Sequence, residues 1–312
     1  MASSAAATSR EQASPAESLS VGRRVLILVM VVLGSTLYAT TLLIASTLLP
    51  QMQGAMSATQ DEIAWVMTFN ILATAVFTPM TGWLVARFGR RETMTWAVLC
   101  FTVTTLMCGM AESLETLVLW RVLQGALGAP VIPLSQTILL DAFPKRQQGL
   151  VTSIFGMAVV IVPVIGPTVG GMLSELYSWR WAFYMIVPVG VLSFVGLRFT
   201  LPQDRPTGRV ALDWTGFLSL SVAIACVQLV LSRGQRLDWF ESGEIIIEAF
   251  VACLAFWIFL AHSLTAAKPF LNLRLLLNRN YAIGLMLVLI YGMLNFTPMV
   301  LLPPLLQQHA GF

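Results

Sequence analysis

Charge is what this sequence has least of. Asp, Glu, Lys and Arg make up 11% of its 312 residues, where a soluble domain has about a quarter. So few ions cannot clothe a water-facing surface, which excludes an ordinary soluble globular protein. Histidine is nearly missing, and His262 and His309 are lone residues that read as structural or solvated. The four cysteines, Cys100, Cys108, Cys226 and Cys253, fall in apolar stretches without metal-ligand or redox-pair spacing. They read as small buried hydrophobes. No nucleophile elbow, zincin helix or phosphate loop occurs. Enzyme chemistry therefore has no carrier here, and no metal or cofactor is expected.

What is abundant is apolar sequence: 57% of residues are hydrophobic. Apolar runs of about 20 residues recur, long enough to cross a bilayer core of roughly 30 Å. The expected spans are 25–49, 62–86, 93–111, 114–140, 149–173, 181–200, 213–232, 245–266 and 281–307. The last is the weakest, because Pro298, Pro303 and Pro304 interrupt it. Lipid offers backbone groups no partners, so the spans are helices. The expected fold class is an all-α polytopic membrane protein. Residues 1–22, rich in Ala, Ser and Thr, read as a disordered tail. The run after Arg23 and Arg24 is too long for a signal-peptide core and reads as a retained first helix.

Lys and Arg gather on alternate loops. One side holds Arg10, Arg23, Arg24, Arg87, Arg90, Arg91, Lys145, Arg146, Arg198, Arg205, Arg209, Lys268, Arg274 and Arg279. The other has only Arg180, Arg233 and Arg236, among acids such as Asp61, Glu62, Glu175 and Glu241. The positive-inside rule then makes the N-terminus cytoplasmic. Insertion accounts for the clustering of the net +3 charge, so it carries no nucleic-acid signal.

One arginine breaks the pattern. Arg121 lies seven residues inside the fourth span, roughly 10 Å below the surface, where an arginine costs at least ~2.5–3.5 kcal/mol. Gln124 and Gly128 follow it at i+3 and i+7 on the same face, and Ser135 continues the stripe. Counting inward from the neighbouring spans, Thr40, Thr41 and Asn70 reach nearly the same depth. Two readings stand. Either Arg121 snorkels to the interface, or it faces the bundle interior and lines a wet cavity walled by Thr40, Thr41, Asn70 and Gln124.

The fifth span, "VVIVPVIGPTVGGML", sets Pro163, Gly166, Pro167, Gly170 and Gly171 on one helical face. Small residues there admit a neighbouring backbone, and the prolines remove donors and permit a bend. Ordinary tight packing and a rocking helix both fit. In "GWLVARFGRR", Gly82 and Gly89 bracket a very short turn carrying Arg87, Arg90 and Arg91.

Those stretches, in this order and on helices of this index, resemble the signatures of the major facilitator superfamily: "GWLVARFGRR" its loop-2/3 signature, "RVLQGALGA" its fourth-helix signature, and "PVIGPTVGG" its fifth-helix signature associated with antiporters. "LDWTGFLSL", "GQRLDWFES" and "FLNLRLLLNRNYAIG" resemble the fourteen-helix drug/proton antiporter branch, the EmrB/QacA type. The resemblance implies a six-helix bundle over 25–200, a loop and extra helix pair over 201–270, and a loop and first helix of an incomplete second bundle over 271–312. It implies efflux of lipophilic compounds by alternating access, with the proton gradient as energy source. The partners it implies are a small-molecule substrate, the lipid bilayer of a bacterial inner membrane and a periplasmic adaptor. It makes Arg121 a proton-coupling or substrate-contact residue, Gly166, Pro167, Gly170 and Gly171 a bending face, and Gly82, Gly89, Arg90 and Arg91 part of a cytoplasmic latch. Two positions depart from the pattern. Ala86 stands where the loop signature commonly has Asp, and Thr41 stands where the branch carries a first-helix acid. A carrier of another class, such as organic anions with Arg121 as counter-ion, is one alternative. A truncated, non-transporting assembly or regulatory partner is another.

Overall fold

The computed structural model describes residues 19–204, 208, 211–267 and 269–309, with side chains of the last helix through Leu294 and at Thr297. Most of the 1–22 tail, Arg205, Arg209 and Lys268 lie outside the described residues. Every regular element among the described residues is helical. Eight helices are long and apolar enough to cross a membrane: α1 Val21–Thr47, α2 Gln60–Phe88, α3 Arg90–Met110, α4 Leu114–Ala142, α5 Lys145–Leu176, α6 Trp179–Thr200, α7 Trp214–Leu237 and α8 Gly243–Thr265. The expected ninth span is a helix, α9 Arg279–His309, whose apolar stretch Arg279–Leu294 is shorter than the others.

Local chemistry sets the boundaries. Thr59 and Glu62 form a capping box that starts α2, and Ser113 with Thr116 does the same for α4. Around Pro79, α2 tightens into a 3-10 turn at Thr78–Met80 before continuing. Gly89, at φ +85°, turns the chain from α2 into α3 in a single residue, a conformation that suits glycine. The segment around Ala129–Pro130 divides α4 into two shorter helices. By contrast α5 runs 32 residues straight through Pro163 and Pro167.

The first six helices close on one another. α1 packs along α5 and α6, α2 along α4, and α3 against α4 and α6. One core gathers Ile44, Met52, Ile63, Val66, Leu117 and Phe183; a second gathers Ile27, Val31, Met94, Leu134, Ile138 and Leu197. α7 pairs with α8 and rests on α2. Asp213 fastens that pair to the following segment. Its carboxylate accepts from Gly216 N at 3.0 Å, His262 Nε2 at 2.8 Å and Phe270 N at 2.9 Å. Burial pushes this carboxyl up, but those three partners outweigh it and hold it below the usual carboxylate range. His262, a lone residue in the sequence, is therefore paired.

The small-residue face of α5 is buried at Pro163, Gly166 and Gly170, while Ile161, Val164 and Ile165 are exposed. Its positions are not equivalent. A Cβ at Gly166 would stand 2.5 Å from Thr40 Cγ2, whereas one at Gly170 would meet Ile44 and Ala182 at 3.4 and 3.5 Å. At Gly171 and Gly82 a Cβ meets nothing within 4 Å. Gly166→Ala is therefore expected to lower stability by about 1–3 kcal/mol through overpacking. Gly170→Ala and Gly171→Ala should stay near wild type. Thermal unfolding in detergent measures all three, and equal shifts would contradict this seam.

Candidate functional site

Arg121 is the largest fully buried side chain of the described residues, with none of its surface exposed. It points into the first core, not out to an interface. Its Nη1 donates to Gln124 Oε1 at 2.6 Å, one helical turn on. Its Nη2 approaches Met67 Sδ at 3.5 Å. Its Cζ lies 5.7 Å from the centroid of the Phe183 ring. Nε has no hydrogen-bond partner. Among the described residues no carboxylate comes within ion-pair distance of it.

A buried ion without a counter-ion carries an effective penalty of several kcal/mol. One charge-assisted hydrogen bond returns about 1.5–3 kcal/mol, and a desolvated cation–π contact about 2. Together they are of the size of the insertion cost quoted above. The guanidinium thus depends on Gln124 and Phe183, and the polar shell around it is kept in place by other bonds. Gln124 Nε2 donates to Thr105 Oγ1 on α3 at 2.6 Å. Asn70 Nδ2, on α2, donates to the Arg121 carbonyl at 2.7 Å and reaches Gln124 Oε1 at 3.5 Å. Thr74 donates to the Asn70 carbonyl at 2.9 Å and shares a 2.6 Å bond with Tyr38 Oη.

Gly125 makes this proximity possible. A Cβ there would stand 2.3 Å from the Asn70 carbonyl oxygen, so only glycine lets α2 come so close to α4.

The structure brings together three of the five residues expected at this level: Arg121, Gln124 and Asn70. The two α1 threonines form no hydrogen bond with these three among the described residues. Thr40 lies against Gly166 in the α1–α5 seam, and Thr41 turns its hydroxyl back to Leu37 O at 2.7 Å. Ser135, expected on the same stripe, pairs with Ser35 at 2.6 Å. Arg121 lines neither described cavity. The larger, about 410 Å³, lies between α2 and α7 beside Trp65, Phe69 and Arg236. Thr105, Met67, Phe183 and Gly125 were missed by sequence reasoning. Gly125 alone had a local signal, at i+4 from Arg121; the others reach the site through tertiary packing.

The second group of expected residues is the α2–α3 turn. Arg90 forms an ion pair with Asp141 at the end of α4. Its backbone N–H donates to Asp204 Oδ2 at 3.2 Å. Arg91 donates to the Arg198 carbonyl on α6, and Arg198 pairs with Glu92 at 2.5 Å. Asp141 and Asp204 thus place carboxylates on a turn where Ala86 offers none, and the contacts tie α3, α4 and α6 at one end of the bundle.

These features define a multi-pass, all-helical membrane protein whose first six spans form a bundle with a buried cationic node between α2, α3, α4 and α6. The chain belongs to the major facilitator superfamily: the family description that matches is Major Facilitator Superfamily, over residues 29–312. It is 35% identical over 270 residues to the multidrug export protein EmrB of Escherichia coli (strain K12), covering 86% of this chain and 53% of that protein. It is 33% identical over 270 residues to the fatty acid resistance protein FarB of Neisseria gonorrhoeae, with 86% and 53% covered. The chain therefore spans about half the length of the curated relatives it matches. Two solved transporters share the fold at low identity. The peptide transporter POT in complex with sulfate matches with TM-score 0.56 at 15% identity, over 76% of this chain and 51% of that one. The partially occluded inward-open xylose transporter XylE from E. coli matches with TM-score 0.53 at 15% identity, over 77% and 59%.

The node makes a graded stability prediction. Gln124→Leu strands the buried cation and should cost about 3–5 kcal/mol. Arg121→Leu removes the charge and leaves Gln124 Oε1 short of a donor, costing about 1–3 kcal/mol. The double variant should lie above Gln124→Leu. Thermal unfolding of purified protein reads the order, and an Arg121→Leu variant less stable than Gln124→Leu would reverse it.

Proposed function

We propose that this chain contributes the first six-helix bundle, the extra helix pair and the start of a second bundle to a proton-coupled exporter of lipophilic compounds. The reading places it in a bacterial inner membrane with the N-terminus cytoplasmic, as the Lys and Arg distribution favours. Alternating access moves the cargo, no bond of the substrate is made or broken, and the proton gradient drives the cycle. A periplasmic adaptor continues the path across a second membrane. The observation that carries the reading is the buried Arg121–Gln124–Asn70 node on a chain 35% identical to a multidrug export protein. The name of the FarB relative extends the proposed cargo class to amphipathic acids.

Within this reading Arg121 shapes the bundle and its positive potential from inside, because its side chain has no exposed surface. That burial weighs against the organic-anion alternative, in which Arg121 would touch its cargo directly. Thr40 takes part through the α1–α5 seam that Gly166 and Pro167 allow to shift. Thr41 stays on the proposed pathway as a buried hydroxyl of α1. The Arg90 and Arg91 contacts latch the cytoplasmic end.

The test is resistance and flux in a bacterial strain stripped of its own efflux pumps, using the carrier that contains this chain. Expression is expected to raise the inhibitory concentration of lipophilic cations and dyes several-fold. Everted vesicles should accumulate a lipophilic dye when an inward-acid gradient is imposed, and stop when it is collapsed. Gradient-independent accumulation would remove proton coupling. Transport confined to hydrophilic organic anions would favour the anion carrier, and no transport of either class would favour a non-transporting role.

A further inference from the structure

We propose that Thr105 is the positioning residue for Arg121, acting through Gln124. The inference rests on the reading of the Arg121 node as part of the transport machinery. Thr105 is wholly buried on α3, away from the signature stretches on α2, α4 and α5. Its hydroxyl donates to the Phe101 carbonyl at 2.7 Å. A hydroxyl has one proton, so only lone pairs remain for its other neighbour. That neighbour is Gln124 Nε2, at 2.6 Å.

The consequence travels one side chain further. Facing an acceptor, Gln124 must present its amide NH2 to Thr105. Its carbonyl then points the opposite way, to Arg121 Nη1 at 2.6 Å. That oxygen is the guanidinium's one oxygen acceptor among the described residues. Without the Thr105 hydroxyl, the buried Gln124 NH2 loses its acceptor and gains a reason to rotate. Any rotation that satisfies it withdraws the oxygen from Arg121. Thr105 thus fixes a cation on another helix to which it makes no hydrogen bond of its own.

The experiment uses the purified carrier containing this chain, with Thr105→Val, Thr105→Ser, Gln124→Leu and Arg121→Leu. Valine keeps the shape of threonine without the hydroxyl; if it fails to fold, Thr105→Ala removes the same group. The first readout is thermal unfolding. The Tm shifts of Thr105→Val and Arg121→Leu should be non-additive although the two residues share no hydrogen bond, and should become additive in a Gln124→Leu background. The second is substrate flux at matched protein. Thr105→Val should lower the maximal rate about tenfold, the size of one lost hydrogen bond to a charged group, with Thr105→Ser near wild type. Additive Tm shifts in the wild-type background overturn the proposal. So does full flux from Thr105→Val where Arg121→Leu is inactive, and so does equal loss from Thr105→Ser, which would mark a packing role. If the wild type moves no lipophilic compound, the transport reading fails, and the unfolding cycle alone decides whether Thr105 orders Arg121.

Discussion

A guanidinium with no carboxylate partner among the described residues, held inside a lipid-embedded bundle, is the constraint around which α2, α3, α4 and α6 meet. The charge cannot be left unpartnered at that depth, and this bundle answers it with neutral dipoles and an aromatic face. The guanidinium itself meets Gln124 of its own helix and Phe183 from α6. Asn70 of α2 holds the Arg121 carbonyl, and Thr105 of α3 holds Gln124. The cation and its shell therefore tie four helices together. Neutral partners also leave the charge uncancelled, so its field extends through the low-dielectric surroundings.

Two seams of small residues let the helices meet that demand. Gly125 brings the α2 backbone onto α4, and Gly166 brings α5 onto α1. The first serves the node, since it lets Asn70 reach the Arg121 carbonyl. The second lies on a helix that carries two prolines and still runs unbroken. Missing backbone donors at Pro163 and Pro167 weaken α5 locally. At the far end of the bundle, the Arg90–Asp141 and Arg198–Glu92 pairs are about half-exposed. Exposed pairs contribute only about 0–1 kcal/mol each.

The helix order was legible because membrane spans announce themselves by length and hydropathy, and because charge asymmetry punctuates them. The buried partner Gln124 was legible too, since i+3 spacing on a helix dictates a shared face. Asn70 meets Arg121 at the expected depth, whereas Thr40 and Thr41 share no hydrogen bond with it among the described residues. Depth gives a level in the membrane and says nothing of rotation about the helix axis. The rotation of α1 aims Thr40 at α5 and leaves Thr41 bonded to its own helix. Thr105 was invisible for the same reason, as one of several threonines on α3 whose hydroxyls bond to the preceding turn. The carboxylates at Asp141 and Asp204 lie on other elements than the turn they serve, so a loop signature alone cannot reveal them.

Where the side chain at position 121 points can be read by thiol accessibility. Arg121→Cys and, as a surface control, Glu62→Cys are placed in the carrier containing this chain, with Cys100, Cys108, Cys226 and Cys253 replaced. A small membrane-impermeant thiol reagent is applied from each side of sealed vesicles. The account predicts rapid labelling at position 62 from one side, and no labelling at position 121 from either side until the protein is unfolded. Labelling at position 121 as fast as at position 62, from that same side, would mean that the arginine reaches the interface. The cationic node inside the bundle would then not exist.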